Sequence, residues 1–222
     1  MAVHHDSEHG SRPEERVKDK KRFSMLRTFV LADLITLGNA ACGTGAIFLC
    51  LRYVADGQRV YIWTALALLP LALICDVADG SVARWRRKHS PLGADLDSLA
   101  DVVSFGVAPA VFGFALGLRG TWDALLLIYF VACGISRLAR YNVTHDSMSD
   151  ESGKVSHYEG TPIPSSLLLV LVLGIAFGMG AVGDRLLFGA VHLLGWDFHP
   201  LSLIYALSGS AMISATLKIP KP

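Results

Sequence analysis

The sequence predicts an all-α integral membrane protein with six transmembrane helices, and three observations predict it. Of 222 residues, 52% are hydrophobic and 18% charged, less charge than an ordinary soluble domain carries. The apolar residues gather into six runs, each about the length that crosses a hydrocarbon core of roughly 30 Å. The sequence has no ten-residue stretches of alternating polarity, the mark of a membrane barrel. Helices, which satisfy their own backbone groups, are the remaining way to span.

Residues 1–22 are polar, mixed in charge and carry His4, His5 and His9. Such a stretch cannot bury enough apolar surface to fold and reads as a disordered cytoplasmic tail, its histidines solvated rather than metal-bound. It is too long in its polar part for a signal peptide, and no cleavage site follows the apolar run. Over Val17–Leu26, Lys18, Lys20, Lys21 and Arg22 stand beside Phe23, Met25 and Leu26. That is the pattern of a short amphipathic helix on the membrane surface. A single membrane domain follows over residues 23–218, with spans near Phe29–Tyr53, Val60–Val77, Leu99–Leu118, Asp123–Leu138, Ile163–Val182 and Pro200–Leu217.

The links Ala55–Gly57 and Gly117–Thr121 are short and make antiparallel neighbours. Thr144–Thr161 is the longest cytoplasmic link, rich in Ser, Asp and Gly. Gly183–His199 is a longer outer link whose Trp196, Phe198 and His199 suit the membrane interface. Gly38, Gly43, Gly45, Gly106, Gly113, Gly174 and Gly178 fall within helices and read as close-packing points. Cys42, Cys50, Cys75 and Cys133 sit in apolar helices without metal-ligand spacing and read as small packing residues.

Basic residues orient the bundle. Lys18 to Arg27 precede the first span, Arg84 to Lys88 follow the second, Arg137, Arg140 and Lys154 follow the fourth, and Lys218 and Lys221 follow the sixth. The opposite links hold only Arg52, Arg59, Arg119 and Arg185. The positive-inside rule puts both termini in the cytoplasm. A formal net charge of +1 gives no sign of a nucleic-acid partner.

Against this background, the stretch Leu71–Phe105 carries Asp76, Asp79, Asp95, Asp97 and Asp101. Asp76 and Asp79 are i, i+3 on one helix; Asp97 and Asp101 are i, i+4 on the next, after a break at Pro91-Leu92-Gly93. Antiparallel packing brings the two pairs together at the cytoplasmic ends of their helices. Each acid at membrane depth costs on the order of a few kcal/mol, so such residues are generally functional. A divalent cation is the better compensation, because Arg84 to Lys88 mostly serve lipid headgroups. Carboxylate oxygens suit a hard ion: Mg²⁺, Mn²⁺ or Ca²⁺. Gly80 and Ala83 allow close approach to the helix backbone, Gly93 frees the turn, and Arg84 can grip a phosphate by its planar fork. A metal, an Arg and a close-approach surface are the equipment of phosphoryl transfer.

Read as Asp76-x2-Asp79-Gly80-x2-Ala83-Arg84-x8-Gly93-x3-Asp97-x3-Asp101, the stretch resembles the signature of the CDP-alcohol phosphotransferases. The resemblance implies a six-helix fold, a homodimer, and a polar site opening to the cytoplasm. It implies Asp76, Asp79 and Asp97 as ligands of Mg²⁺ or Mn²⁺, and Asp101 as a ligand of a second metal, as the base that takes the hydroxyl proton, or as both. Thr36, Asn39, Gly80, Ser81, Ala83, Arg84 and Gly93 would surround the nucleotide and phosphates.

Within that family, "SRLARYNV" (136–143), "EGTPIPSS" (159–166) and "LITLGNAACG" (34–43) resemble the members that accept serine. One departure is Asp33 after Ala32, where many relatives have Asn after Pro. The implied partners are CDP-diacylglycerol, L-serine and membrane lipids; the implied place is the cell (inner) membrane, with the site cytoplasmic. Arg137, Arg140, Asn142 and Thr161 would bind the acceptor. As residues alone, Arg137 and Arg140 fit either an anionic group or membrane anchoring, Asn142 either a substrate contact or a helix cap, and Thr161 either a cap or the cavity. Choline would call for an aromatic cage, and the inner ends offer no obvious Trp or Tyr cluster. Three rivals remain: another alcohol such as glycerol phosphate or inositol; a membrane prenyltransferase, which needs two separated Asp motifs in a larger bundle; and a cation transporter, which needs acids near the midplane of several helices.

Overall fold

Most of the apolar runs fold into helices that outrun the stretches read from hydropathy. The structure, a computed structural model, describes residues 31–86, 91–148, 157–214 and 218–220. The tail 1–22 and the expected surface helix at Val17–Leu26 lie outside the described residues. Helix α1 spans Leu31–Asp56, α2 Arg59–Arg86, α3 Pro91–Asp101, α4 Ala108–Leu116, α5 Thr121–Met148, α6 Leu167–Gly178 and α7 Leu203–Ile213. A π-helical turn, Val102–Val107, joins α3 to α4 into one continuous helix. Short 3-10 turns at Ile163–Ser166 and Pro200–Ser202 lead into α6 and α7.

Four helical stretches are long and apolar enough to cross a bilayer: Asp33–Asp56, Arg59–Ser81, Gly93–Leu116 and Thr121–Val143. The chain is a membrane protein of all-α architecture. Ile163–Gly178 and Pro200–Ile213 are shorter apolar helices, about 24 Å and 21 Å at 1.5 Å per residue against a core of roughly 30 Å.

The third stretch is the core of the bundle, with 67% of its apolar window buried against 22–33% in the other three. Small residues let its neighbours close on it. A Cβ on Gly43 would stand 2.7 Å from the Ser104 α-carbon, so α1 rests directly on the π turn. Gly113 similarly admits the Tyr205 hydroxyl, which donates to the Pro109 carbonyl at 2.7 Å, while the Tyr205 ring meets Phe130 edge-on at 5.2 Å. Gly174 packs on Leu66 and Gly178 on Trp63, as close packing requires. The cysteines are free and buried or half-buried.

Gly93 does not free a turn; it lies in the first turn of α3, which Pro91 opens, a position where a missing N–H is harmless. Asn142 is not a helix cap, because α5 continues to Met148.

At the end of the bundle away from the acids, termed the outer end, β2 (Val191–Leu193) and β3 (Trp196–Phe198) form a hairpin with Leu193 opposite Trp196. Its two-residue turn, Leu194-Gly195, has φ of 53° and 83°, the mirror-image turn that matches strand twist. Trp122 Nε1 donates to the Leu193 carbonyl at 3.1 Å and ties the hairpin to α5. Two of the basic residues at this end serve helix C-termini: Arg59 donates to the Phe177 carbonyl at 2.8 Å, and Arg119 donates to those of Phe114 and Ala115 at 3.1 and 3.0 Å.

Candidate active site

Three helices supply the polar groups at the opposite end of the bundle, termed the inner end. Within α2, Asp76 and Asp79 follow an apolar run, three residues apart; α3 brings Asp97 and Asp101, one turn apart; α1 brings Thr36 and Asn39. Carboxylate oxygens of Asp76, Asp97 and Asp101 all lie within 4.8 Å of one another. The Asp76 and Asp97 carboxylates crowd one another, and Asp97 Oδ1 is buried with no partner among the described residues. Crowded acids with an unsatisfied oxygen form a site that a hard cation completes, and an all-oxygen donor set fits Mg²⁺ or Mn²⁺. Asp95, the remaining acid of the stretch, is exposed.

Asp79 stands outside that trio. Its Oδ2 accepts a 2.5 Å hydrogen bond from the Thr36 hydroxyl, and it is buried. Asn39 Nδ2 donates to Asp101 Oδ1 at 3.2 Å. The predicted residues of α1 therefore hold the carboxylates of α2 and α3 in place. Asp33 is also buried, 3% exposed, within electrostatic reach of Asp79.

Asp101 is the last residue before the π turn. The Ala108 N–H reaches back to the Val103 carbonyl, a five-residue step, and such bulges gather at functional sites. The Ser104 hydroxyl, one turn past Asp101, donates to the Asn39 carbonyl at 2.9 Å. That bond closes a chain from the π turn through Asn39 back to Asp101.

Gly80 differs from the packing glycines: among the described residues a Cβ there meets nothing within 4 Å. The space beside α2 is open where the signature needs a phosphate to approach. Ser81 is exposed and donates to the Val77 carbonyl at 2.8 Å. The side chains of Ala83 and Arg84 lie outside the described residues.

Of the expected acceptor residues, Arg137 is half-buried, with Nε buried and unpartnered, and is within electrostatic reach of Asp101. The Thr161 hydroxyl is likewise buried without a partner among the described residues; it caps no helix. Arg140 is exposed. Asn142 is engaged elsewhere: its Nδ2 donates to the Ser98 hydroxyl at 2.9 Å, and that hydroxyl donates to its Oδ1 at 3.2 Å. This reciprocal pair fastens α5 to α3 beside Asp97. Ser98 and Ser104 escaped the sequence reading; their signal was position, one residue past Asp97 and three past Asp101.

A model of the CDP-alcohol phosphatidyltransferase family matches residues 29–204. A Saccharomyces cerevisiae protein named CDP-diacylglycerol–serine O-phosphatidyltransferase is 43% identical over 209 residues, covering 92% of this chain and 75% of that protein. A Mycobacterium leprae protein of the same name is 40% identical over 52% of this chain and 40% of its own length. An archaetidylserine synthase of Methanothermobacter thermautotrophicus is 34% identical over 69% of this chain and 60% of that protein. The chain thus spans three quarters of the yeast relative and less than two thirds of the other two.

Proposed function

Because this chain belongs to the CDP-alcohol phosphatidyltransferase family, we propose that it transfers the phosphatidyl group of CDP-diacylglycerol to the hydroxyl of L-serine, giving phosphatidylserine and CMP. The observation that carries the reading is the meeting of Asp76, Asp97 and Asp101 at the inner end of two membrane helices. A lipid headgroup, a cation and a soluble amino acid can all reach that depth.

Asp76, Asp79 and Asp97 would hold the divalent ion, and Asp101, whose carboxylate lies within 4.8 Å of those of Asp76 and Asp97, completes the group as the proton acceptor. Once bound, Mg²⁺ or Mn²⁺ supplies positive charge that offsets the charge of the pyrophosphate. Thr36 and Asn39 orient Asp79 and Asp101 through the bonds described above, and Gly80 leaves room for the phosphates. Arg84 lies one turn further along α2 and grips a phosphate oxygen. Arg137 and Thr161, whose buried polar atoms await partners, receive the serine carboxylate and its neighbouring groups. The exposed Arg140, one turn from Arg137, attracts the carboxylate of the zwitterionic serine.

Asn39 occupies one oxygen of Asp101, and the other takes the proton from the serine hydroxyl. The hydroxyl oxygen then bonds to the phosphorus that carries diacylglycerol, the bond from that phosphorus to the CMP oxygen breaks, and CMP leaves with the electron pair.

The four long helices and the two short ones, Ile163–Gly178 and Pro200–Ile213, make six crossings of the cell membrane, in one domain over residues 23–218. Both termini and the site face the cytoplasm, and the working unit is a homodimer. The decisive experiment offers purified protein CDP-diacylglycerol with a mixture of serine, inositol and glycerol phosphate and identifies the lipid product by mass spectrometry. Phosphatidylserine, with CMP release that chelation stops and Mg²⁺ or Mn²⁺ restores, is the expected outcome. A different headgroup overturns the acceptor; absence of CMP release overturns the enzyme.

A further inference from the structure

Thr161 is placed by parts of the chain remote from it in sequence. Strand β1, His157–Glu159, pairs antiparallel with β4, Lys218–Pro220, with Tyr158 opposite Ile219. Gly160 follows, buried, at a φ of 75° that L side chains avoid. A Cβ there would run into the Met212 carbonyl oxygen, with the Ala211 carbonyl oxygen 3.2 Å away. The next amide, that of Thr161, donates to the Ala211 carbonyl at 3.2 Å. That carbonyl belongs to the last turn of α7, where no intrahelical donor remains. Two residues on, Ile163 is buried, its Cδ1 3.1 Å from where a Gly134 Cβ would be and 4.0 Å from that of Gly106. The segment is therefore held behind by a strand, beneath by the end of α7, and ahead by a side chain wedged between α5 and the π turn.

We propose that Gly160 and the C-terminal strand β4 are positioning elements of the acceptor pocket. They hold Thr161 so that its unpartnered hydroxyl faces the acceptor, and thereby set affinity for a small amino-acid alcohol that they never touch. The inference rests on the reading of Arg137 and Thr161 as the acceptor site. Its physical basis is that a buried hydroxyl without a partner is costly, so a fold that holds Thr161 at its backbone from several directions keeps that hydroxyl available to a ligand.

The test compares steady-state kinetics of the full chain with three variants, varying serine and CDP-diacylglycerol separately. Deleting residues 218–222 leaves the membrane helices intact. It is expected to raise the serine KM about tenfold while the CDP-lipid KM and kcat stay within about twofold. Gly160→Ala, which collides with α7, shifts the serine KM in the same direction and further. A truncated enzyme with the original serine KM, or with both KM values raised equally, overturns the proposal. Thr161→Val separates the two layers of the argument. If it leaves the serine KM unchanged, the acceptor reading itself fails; if it raises that KM while the truncation does not, only the positioning role fails.

Discussion

Asp123 at the outer end of α5 and Asp97 at the inner end of α3 are both acids within a membrane helix bundle, yet their surroundings are opposite. Asp123 is fully buried and saturated. Its Oδ1 accepts from the His199 amide at 2.9 Å, and its Oδ2 accepts from the Gly120 amide at 2.9 Å and lies 2.6 Å from His199 Nδ1. Those bonds pin the start of α5 to the exit of the hairpin and the approach to α7. Asp97 has other acids for neighbours and an oxygen with no partner. Of the six buried side-chain atoms without partners among the described residues, four belong to predicted site residues: Asn39, Asp97, Arg137 and Thr161. The other two are on Ser166 and His199. A buried polar group costs free energy unless it is paired. The outer end reads as a structural joint, and the inner end as a surface completed by ligands.

Substitutions at the two ends sharpen or break that contrast. The largest effect is expected at Asp97: Asp97→Asn should lower CMP release by about 10³-fold while the protein still inserts and keeps its melting temperature. Near-normal turnover would remove this carboxylate from the chemistry. Arg137→Ala should raise the serine KM roughly thirtyfold, or about 2 kcal/mol, and change the CDP-lipid KM little; equal changes in both would move Arg137 to the phosphate. Asp123→Asn should do the reverse of Asp97→Asn, costing about 2 kcal/mol of stability in a detergent melt and leaving kcat within a few-fold. Were it to lose activity at unchanged stability, the outer end would no longer be a mere joint. Thr36→Val should be the mildest, weakening CDP-lipid binding by about 1 kcal/mol through a loosened Asp79, read as a several-fold rise in that KM alone.

The spacing of the acids made the site legible because helical periodicity converts sequence separation directly into a shared face. Gly43 and Gly113 were legible as packing points for a related reason: a missing side chain inside an apolar helix has few other uses. Gly80 read differently, as room for a phosphate, because it directly follows Asp79; among the described residues a Cβ there meets nothing within 4 Å. The π turn was not legible, since Val102–Val107 carries no residue pattern different from the α-helix around it. The outer hairpin was hidden too. Its strands are three residues each, shorter than any period can announce. Asn142 read as a substrate contact or a cap because its partner, Ser98, is 44 positions away.

The sequence by itself determined that the chain lives in a membrane as helices, that acids cluster on two of them, and which family they resemble. Hydropathy, charge and helical spacing are local properties and need no partner to be read. The tertiary structure decided which three carboxylates meet, that Asn39 supports one of them while Thr36 holds Asp79 beside them, and that α7 and a strand at the far end of the chain hold Thr161. Those are contacts between residues tens of positions apart, and they exist only once packing has brought the helices together.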